Sequence, residues 1–366
     1  MKKILILANN STGLYNFRFE LVEHLIKKGY EVYFSLPESI DDEKVKLLIM
    51  AGAKHIETKI NRRGINPYKE FQLLYNYRKL ISKIKPDLII TYTIKPNIYG
   101  TYLAGIKNIP SLMNITGLGT AFTKPIIKDL IIHLYKYTCR MAKIVFFQNE
   151  SNRKFFLDNR IVDINKTVLL PGSGVNTFKF KPLKKEKLND RIKFLFIGRI
   201  MKEKGINEYL NVANNITSKY NNVEFYVMGF FEEKEYEKVF NMNENNRIRY
   251  LGFSSDVRNE IAAVDCIVNP SYHEGMSNVL LEAAAMGKPL IASNIPGCKE
   301  IVSDGENGFL FDVQSSKSLE EKIIKFINLN EETKVQMGEA SREIAVRKFD
   351  RNIVIEKYLE VIEDII

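Results

Sequence analysis

The feature that most constrains this chain is the regular alternation of short apolar runs with longer amphipathic segments. Lys3–Ala8 and Glu31–Ser35 have the length and composition of buried strands, while Leu14–Lys28 has the spacing of a helix. Parallel strands are joined by helical crossovers, so this alternation is typical of βαβ units built on a parallel sheet. The chain is therefore predicted to be an α/β protein.

The alternation stops at a polar, lysine-rich segment and then starts again. Residues 179–191 include Pro182 and few apolar side chains, which predicts an interdomain linker, and Ile192–Ile197 then repeats the pattern of the first strand. The predicted parts are a Rossmann-like domain at 1–178, a second one at 192–345, and a terminal helix at 346–366 that crosses back to the first domain. Two doubly wound halves predict a ligand cleft between their strand carboxyl ends.

Length and composition agree with two domains of a soluble globular protein. The chain has 366 residues, of which 45% are hydrophobic and 27% charged. No apolar run reaches the roughly 18 residues of a spanning helix, and we expect Met1–Ala8 to be a first strand because its apolar run is too short for a signal peptide. The wide spacing of Cys139, Cys266 and Cys298 indicates a reducing compartment, without a disulfide frame or a metal knuckle.

Positive charge is concentrated in the first half of the chain. Residues 1–175 hold 27 Lys and Arg against 14 Asp and Glu, whereas the remainder holds 27 against 30. A general enrichment in lysine would raise the positive charge of both halves equally. The basic first half therefore indicates an anionic partner: a membrane surface, a nucleic acid or a phosphorylated substrate. No aromatic–basic RNA-binding signature accompanies the charge, so nucleic acid is not favoured.

Two carboxylates bracket a predicted strand-to-helix turn in the second half. Glu274 falls in the loop after the apolar run Asp265–Pro270, and Glu282 falls inside the following helix. The first amides of that helix lack intrahelical acceptors and form an anion site, so the turn offers a phosphate cradle beside hydroxyl-binding carboxylates. A nucleotide sugar fits this set of groups. On spacing alone, Glu282 could equally be an ordinary surface residue of the helix.

A second phosphate-type element lies upstream. Arg199 and Lys204 occupy the loop after the predicted strand Phe194–Ile197, where a diphosphate would lie, and Arg can bind phosphate through two parallel hydrogen bonds. Alone, this loop would be interpreted as a solvated basic turn. Glu274 and Glu282, which bracket the next cleft-facing turn of the same domain, favour a binding site instead.

With both elements placed, the chain resembles glycosyltransferase family 4, a retaining family with the two-domain GT-B architecture. The resemblance covers nearly the whole chain. It rests on these motifs: Gly198-Arg199-x4-Lys204-Gly205, Tyr250-Leu251-Gly252, Glu274-Gly275-x2-Asn278-x3-Glu282-Ala283, Gly297-Cys298-x-Glu300-Ile301-Val302 and Asn307-Gly308-Phe309-Leu310. Thr116-Gly117-Leu118-Gly119-Thr120 is similar to the subgroup that acts on lipid-linked sugars in capsule, O-antigen and protein-glycan assembly.

The chain also departs from the family pattern in two places. Many relatives have paired glycines in the first loop, where this chain has Asn10-Ser11-Thr12-Gly13. Many also have a histidine near the place where Thr116–Thr120 falls. His133 is no obvious replacement, since it sits within an amphipathic helix, and a structural role is favoured for it.

The resemblance implies roles for individual residues of the donor site. Arg199 and Lys204 would bind the donor diphosphate and Glu274 would hold hydroxyls of the donor sugar, which makes these three the expected catalytic residues. Glu282 would bind the ribose hydroxyls, Gly13 would let the first domain approach the diphosphate, and the base would lie near Gly252. The full expected donor-binding set is Gly13, Gly252, Phe253, Gly275, Met276, Ser277, Asn278, Val279, Leu280 and Glu282.

The acceptor side carries weaker signals. The candidate acceptor residues are Arg18, Arg62, Arg63, Lys95, Asn97 and Thr116. The predicted helix Lys124–Lys143 mixes apolar residues with five basic ones, which favours either a membrane-surface patch or a core-packing helix with a solvated basic face. Both interpretations of this helix stay open.

The resulting hypothesis is a retaining, metal-independent glycosyltransferase. It would move a hexose or N-acetylhexosamine from a UDP-sugar to a polyprenyl-diphosphate-linked saccharide in surface polysaccharide or glycan synthesis. The enzyme would be cytoplasmic, peripheral on the inner face of the cell membrane, and held by the anionic surface through its first domain. No Asp-x-Asp occurs in the sequence, so no metal is implied, and no cofactor is expected besides the donor.

Two alternatives remain open at this point. One is a nucleotide-sugar epimerase or phosphorylase on a similar two-domain fold, and the other is a non-catalytic scaffold of a polysaccharide assembly complex. The sugar, the acceptor glycan, the linkage and the oligomeric state are not predicted.

Overall fold

The computed structural model describes residues 1–61, 66–117, 125–183, 190–242 and 245–366. Over these residues the chain divides into two compact units, one formed by 1–173 together with 352–366 and the other by 174–351. Each unit is built on a sheet whose paired strands are parallel. The predicted α/β class, with two Rossmann-like sheets, is confirmed.

The sheet of the first unit has seven strands among the described residues. They are β1 (Lys3–Leu7), β2 (Glu31–Leu36), β3 (Lys54–Glu57), β4 (Leu88–Tyr92), β5 (Ser111–Ile115), β6 (Ile144–Phe147) and β7 (Thr167–Leu169). Their order is β3-β2-β1-β4-β5-β6-β7, so the direction of winding reverses between β1 and β4. At such a reversal the loops after the two strands diverge and leave a crevice.

Helices cover both faces of this sheet. They are α1 (Ser11–Lys27), α2 (Glu43–Met50), α3 (Pro67–Ile84), α4 (Thr101–Ile106), α5 (Pro125–Met141), α6 (Glu150–Asp158) and, from the end of the chain, α13 (Arg351–Glu363). Side chains alternate along a strand, so Ile4 and Ile6 pack with α1, α2 and α13, while Leu5 and Leu7 pack with α3 and α4. The two cores of the unit therefore lie on opposite faces of one sheet.

The sheet of the second unit has six strands among the described residues. They are β8 (Ile192–Ile197), β9 (Val223–Met228), β10 (Ile248–Tyr250), β11 (Cys266–Asn269), β12 (Leu290–Ser293) and β13 (Gly308–Phe311). Their order is β10-β9-β8-β11-β12-β13, with the reversal between β8 and β11. The helices are α7 (Ile206–Lys219), α8 (Glu235–Asn241), α9 (Arg258–Ala262), α10 (Asn278–Ala285), α11 (Ser316–Ile327) and α12 (Glu331–Phe349).

The end of the chain is divided between the two units. The helical run breaks at Asp350, whose ψ of 137° is not helical. The amide of Val175 donates to the carbonyl of Phe349, and the carbonyl of Val175 accepts from the amide of Arg351. The units change at 173/174 and at 351/352. The described break therefore falls inside the predicted terminal helix 346–366, of which residues 346–349 end α12.

Two details of the helices differ from the sequence prediction. Helix α1 begins at Ser11 rather than at Leu14, because the side chain of Asn10 accepts a hydrogen bond from the Gly13 amide at 2.6 Å and caps the helix. The short helices α4, α6 and α8 were not predicted. Among the described residues, no helix combines the length and the hydropathy that crossing a bilayer requires.

Candidate active site

Both predicted donor motifs lie at the point where the second sheet reverses its winding. The loop with Arg199 and Lys204 follows β8, and the loop with Glu274 follows β11. These strands are paired neighbours, with Cys266 aligned to Phe194. Parallel neighbours end at the same edge of a sheet, so the two loops share the crevice where open α/β sheets bind ligands.

The two loops are joined by a hydrogen bond and by a close backbone approach. The amide of Tyr272 donates to the carbonyl of Glu203 at 2.9 Å. Gly205 has a φ of +73°, and a Cβ there would lie 2.1 Å from the carbonyl oxygen of Pro270. Only glycine permits this approach, so the Gly after Lys204 sets the distance between the two motifs.

The closest charged contact of the site is the ion pair between the two motifs. Lys204 Nζ lies 2.6 Å from Glu274 Oε1, and both side chains are mostly buried. An ammonium has three N–H donors, and among the described residues Glu274 is the acceptor found for it. The pair can therefore hold Lys204 in place while its other donors face an anion.

A third loop clamps the turn that carries Glu274. The amide of Ser277 donates to the carbonyl of Gly297 at 2.9 Å, and the amide of Gly297 donates to Glu300 Oε2 at 2.7 Å. Gly297 has a φ of +87°, and a Cβ there would lie 2.8 Å from the Gly275 carbonyl oxygen. This role was not predicted from the sequence, although Gly297 and Glu300 belong to one of the motifs noted there.

The amino end of α10 offers amide donors. Ser277 is its N-cap: the hydroxyl accepts from the Leu280 amide at 3.4 Å and from the Asn269 side chain at 2.6 Å. The amides of Asn278 and Val279, in the first turn, precede the residues that can bond back along the helix. This end of the helix is therefore suited to an anion, and the predicted binding of a phosphate there stays a prediction.

Glu282 occupies a different environment from Glu274. It is partly buried in α10, and among the described residues no hydrogen-bond partner is found for its carboxylate. Burial raises its pKa to about 7, against a smaller lowering effect from Arg351 and Lys179. A partly buried carboxylate for which no hydrogen-bond partner is found is suited to accept hydrogen bonds from ligand hydroxyls.

The remaining predicted donor residues are less constrained. Arg199 is half exposed, and its Nη1 lies 3.6 Å from Glu232 Oε2. Gly252 accepts a hydrogen bond from the Gly229 amide at 2.9 Å, and the exposed ring of Phe253 lies edge-on to Phe230 with 6.0 Å between centroids. The expected base contact at Gly252 and Phe253 stays a prediction. Met276 and Leu280 bury their side chains in the core, so any ligand contact there would be through the backbone.

In the first unit, a carboxylate of the protein itself lies at the start of helix α1. Gly13 lies in the first turn of α1, not in a loop as expected from the sequence. The Ser11 amide, at the start of that helix, donates to Glu38 Oε2 at 3.0 Å. The predicted approach of Gly13 to the donor diphosphate stays a prediction.

The candidate acceptor residues of the first unit are tied to internal partners. Arg18 is buried, donates to the Phe17 carbonyl at 2.7 Å and stands 5.0 Å from the centre of the Tyr92 ring. Lys95 Nζ lies 2.5 Å from Glu70 Oε1. The buried amide of Asn97 donates to the Asn114 carbonyl at 2.8 Å, and Thr116 lies partly buried just after β5.

Two predicted acceptor residues and part of one motif cannot be placed. Arg62 and Arg63 lie outside the described residues, as do Leu118–Thr120 and Lys124. Helix α5, which begins at Pro125, buries Ile131 and Tyr135 in the core. It therefore packs against the sheet, as the core-packing interpretation expected. Its predicted membrane contact stays a prediction. Within the described residues no cluster of three or more metal-ligating side chains is found.

Family models match each of the two units. A family model described as "Glycosyl transferase 4-like" matches residues 3–149, and one described as "Glycosyl transferases group 1" matches residues 178–344. The Anabaena protein Alr3699/HepE, solved in complex with UDP, has a TM-score of 0.82 with 18% identity, over 100% of both chains. This likeness shows the fold.

Two curated relatives are glycosyltransferases whose names give a diphospho-undecaprenol-linked substrate. The N,N'-diacetylbacillosaminyl-diphospho-undecaprenol alpha-1,3-N-acetylgalactosaminyltransferase of Campylobacter jejuni is 27% identical over 100% of this chain and 99% of its own. The UDP-Gal:alpha-D-GlcNAc-diphosphoundecaprenol alpha-1,3-galactosyltransferase of Escherichia coli is 28% identical over 75% and 77%. The two family models together span both units, and the family predicted from the motifs is confirmed: the chain is a glycosyltransferase and belongs to glycosyltransferase family 4.

Proposed function

We propose that this enzyme transfers a hexose or N-acetylhexosamine from a UDP-sugar to a polyprenyl-diphosphate-linked saccharide. The observation that carries the proposal is the pairing of Lys204 with Glu274 beside the amino end of α10, where the second sheet reverses. A cation and helix amides fit a diphosphate, and a carboxylate on either side fits the sugars at its two ends. The names of the two relatives, both of which act on diphospho-undecaprenol substrates, support the choice of acceptor.

We expect the reaction to proceed with retention and without a metal. The bond from the anomeric carbon to the diphosphate breaks, a bond to the acceptor oxygen forms, and the acceptor proton passes to the departing phosphate. Negative charge grows on the diphosphate as the bond breaks, so Lys204 and Arg199 stabilise the transition state more than the ground state. The alpha linkages in the names of both relatives support retention from an alpha-configured donor.

Because that acceptor is anchored in a bilayer, the enzyme would work at the inner face of the cell membrane. The excess of basic residues in the first half of the chain supports attraction to an anionic surface. The proposal therefore assigns the acceptor to the first unit and the donor to the second.

The test is transfer of labelled sugar by the purified full-length protein. A panel of UDP-sugars is offered with a polyprenyl-diphosphate-linked monosaccharide in detergent, with and without a metal chelator. We expect an alpha-linked product with one or two of the donors and no loss on chelation. Turnover of donor without an acceptor would instead support an epimerase or phosphorylase, and neither turnover nor UDP binding would support a scaffold.

A further inference from the structure

Helix α3 of the first unit exposes large aromatic side chains on its outer face. Tyr68, Phe71 and Tyr75 are 76%, 72% and 66% exposed, and their spacing of three and four residues puts them on one side of the helix. They extend over about 10 Å, since a helix rises about 1.5 Å per residue. We call these three residues the aromatic ridge.

The ridge is additional to the face that α3 buries. Leu73, Tyr77 and Leu80 on the inner side pack into the core with Leu5 and Leu7 of the sheet. The burial of this helix is therefore complete without the ridge, and the fold does not account for aromatic side chains on the outside. Single exposed apolar residues are ordinary, but three aligned aromatic ones indicate a contact surface.

The exposed charged residues of α3 itself are all of one sign. Lys69, Arg78, Lys79 and Lys83 of α3 are all exposed. The one acidic residue of the helix, Glu70, is largely buried and paired with Lys95 at 2.5 Å. The outer face of α3 is therefore aromatic and basic, a combination that fits an anionic lipid surface, where rings enter the headgroup layer and cations contact phosphates.

We infer that α3, through the aromatic ridge and its basic neighbours, seats the first unit on an anionic bilayer. The inference rests on the proposed function, because the membrane is where a polyprenyl-linked acceptor resides. The sequence had offered the segment of α5 as one candidate for membrane contact, whereas this inference assigns that contact to α3. A second copy of this chain is a poorer occupant, because two basic faces would meet.

The experiment is co-sedimentation of the full chain with vesicles of phosphatidylcholine, alone or with about one-third phosphatidylglycerol. The variant Tyr68→Ser/Phe71→Ser/Tyr75→Ser removes the ridge, and Ile40→Ser/Met50→Ser/Val335→Ser removes three comparably exposed apolar residues from other surfaces. We expect the ridge variant to bind the anionic vesicles at least about tenfold more weakly than wild type, and the control to change less than about twofold. Melting temperatures show that both variants fold.

A charge variant tests the second half of the inference. Arg78→Glu/Lys79→Glu reverses two exposed charges and is expected to weaken binding to anionic vesicles by about tenfold or more, while high salt weakens the wild type. Equal binding by the ridge variant and wild type would overturn the inference, as would equal binding to both kinds of vesicle. Loss of a dimer in the ridge variant by analytical ultracentrifugation, without loss of vesicle binding, would identify a self-contact and also overturn it.

Activity in detergent separates this inference from the proposed function. With detergent-dispersed acceptor, the ridge variant should transfer sugar at the wild-type rate, while Lys204→Ala should transfer it at least about 100-fold more slowly yet bind vesicles normally. An active ridge variant that still binds vesicles refutes the inference alone. Wild type that binds vesicles through the ridge but transfers no sugar refutes the proposed function alone.

Discussion

The two sheets reverse their winding in the same way, but the chemistry at the two reversal points differs. After β8 and β11, Lys204 and Glu274 form a pair beside helix amides, and Glu282 has no partner found among the described residues. After β1 and β4, Lys95 is paired with Glu70, and a carboxylate, Glu38, binds the Ser11 amide at the start of α1.

The sheet topology forms a crevice at both reversal points, and the side chains around each crevice determine which ligand it can bind. In the second unit no carboxylate is found at the first amides of α10 among the described residues, so a diphosphate can use these amides. In the first unit the protein's own Glu38 occupies the equivalent helix end. We therefore assign the donor to the second unit. Experiments that compare the residues at the two reversal points test this assignment.

The largest effect is expected at Lys204. Lys204→Ala removes a fixed cation from the departing diphosphate and should lower kcat by about 10² to 10³-fold. The matched variant Lys95→Ala removes the lysine that is paired with Glu70 at the other reversal point, and it should lower kcat by less than about tenfold. Steady-state kinetics measure both. Decreases in kcat of equal size would mean that both reversal points contribute to catalysis, which would contradict the contrast between them.

Glu274 should show the next largest effect. Glu274→Gln leaves Lys204 without its charged partner and removes a strong acceptor for sugar hydroxyls, so kcat should fall by about 10 to 100-fold. Because the two residues act as a pair, Lys204→Ala/Glu274→Gln should lose little more than Lys204→Ala alone. Fully multiplicative losses would show that the pair seen in the structure has no part in the reaction.

Glu282 should give a pH dependence. Ribose hydroxyls donate to the ionised carboxylate, whose pKa is raised to about 7, so UDP should bind about tenfold more tightly at about pH 8 than at about pH 6. Calorimetry measures this. UDP itself titrates in this range, so Glu282→Gln serves as the reference. The affinity of the wild type for UDP should depend on pH more strongly than the affinity of this variant does. Identical profiles would place the ribose elsewhere.

The same group predicts the sign of a stability change. The folded-state pKa of Glu282 lies above its unfolded value near 4.5, so the folded protein holds an extra proton between those values. The free energy of unfolding should therefore fall as pH rises from about 4.5 to about 7, by at most about 3 kcal/mol. Glu282→Gln should remove this decline in urea unfolding experiments. A decline of the same size in the variant would mean that other groups cause it.

The smallest effect is expected at Glu38. Glu38→Gln weakens its hydrogen bond to the Ser11 amide and should cost about 1 kcal/mol or less of stability, with UDP affinity unchanged within about twofold. Thermal unfolding and calorimetry measure the two quantities. A gain of tenfold or more in UDP affinity would show that the start of α1 binds the diphosphate once its carboxylate is neutral, as the family resemblance implied for Gly13.

The donor loops could be predicted from the sequence because their residues are local in the chain. Lys204 and Glu274 were both identified, since strand, loop and helix follow each other within a few residues of each. Their direct ion pair was not predicted, because it depends on the backbone approach at Gly205 and Pro270. The clamp by Gly297 was missed for the same reason, as it joins loops after two different strands.

The first unit was harder to predict because its polar residues depend on distant partners. Arg18 was a candidate acceptor residue because of its place near a helix start, and its contact with an acceptor stays a prediction. Its position beside Tyr92 could not be predicted, because the Tyr92 hydroxyl bonds to Tyr358, 266 positions further on, at 3.3 Å. The short helices, such as the six residues of α4, carry too few turns to show a period.

The most direct test is a crystal structure of the enzyme with UDP. The account predicts the β-phosphate within about 3 Å of Lys204 Nζ, and the ribose hydroxyls at a similar distance from the carboxylate of Glu282. A well-ordered UDP that contacts neither side chain would contradict the assignment of the donor to the second unit.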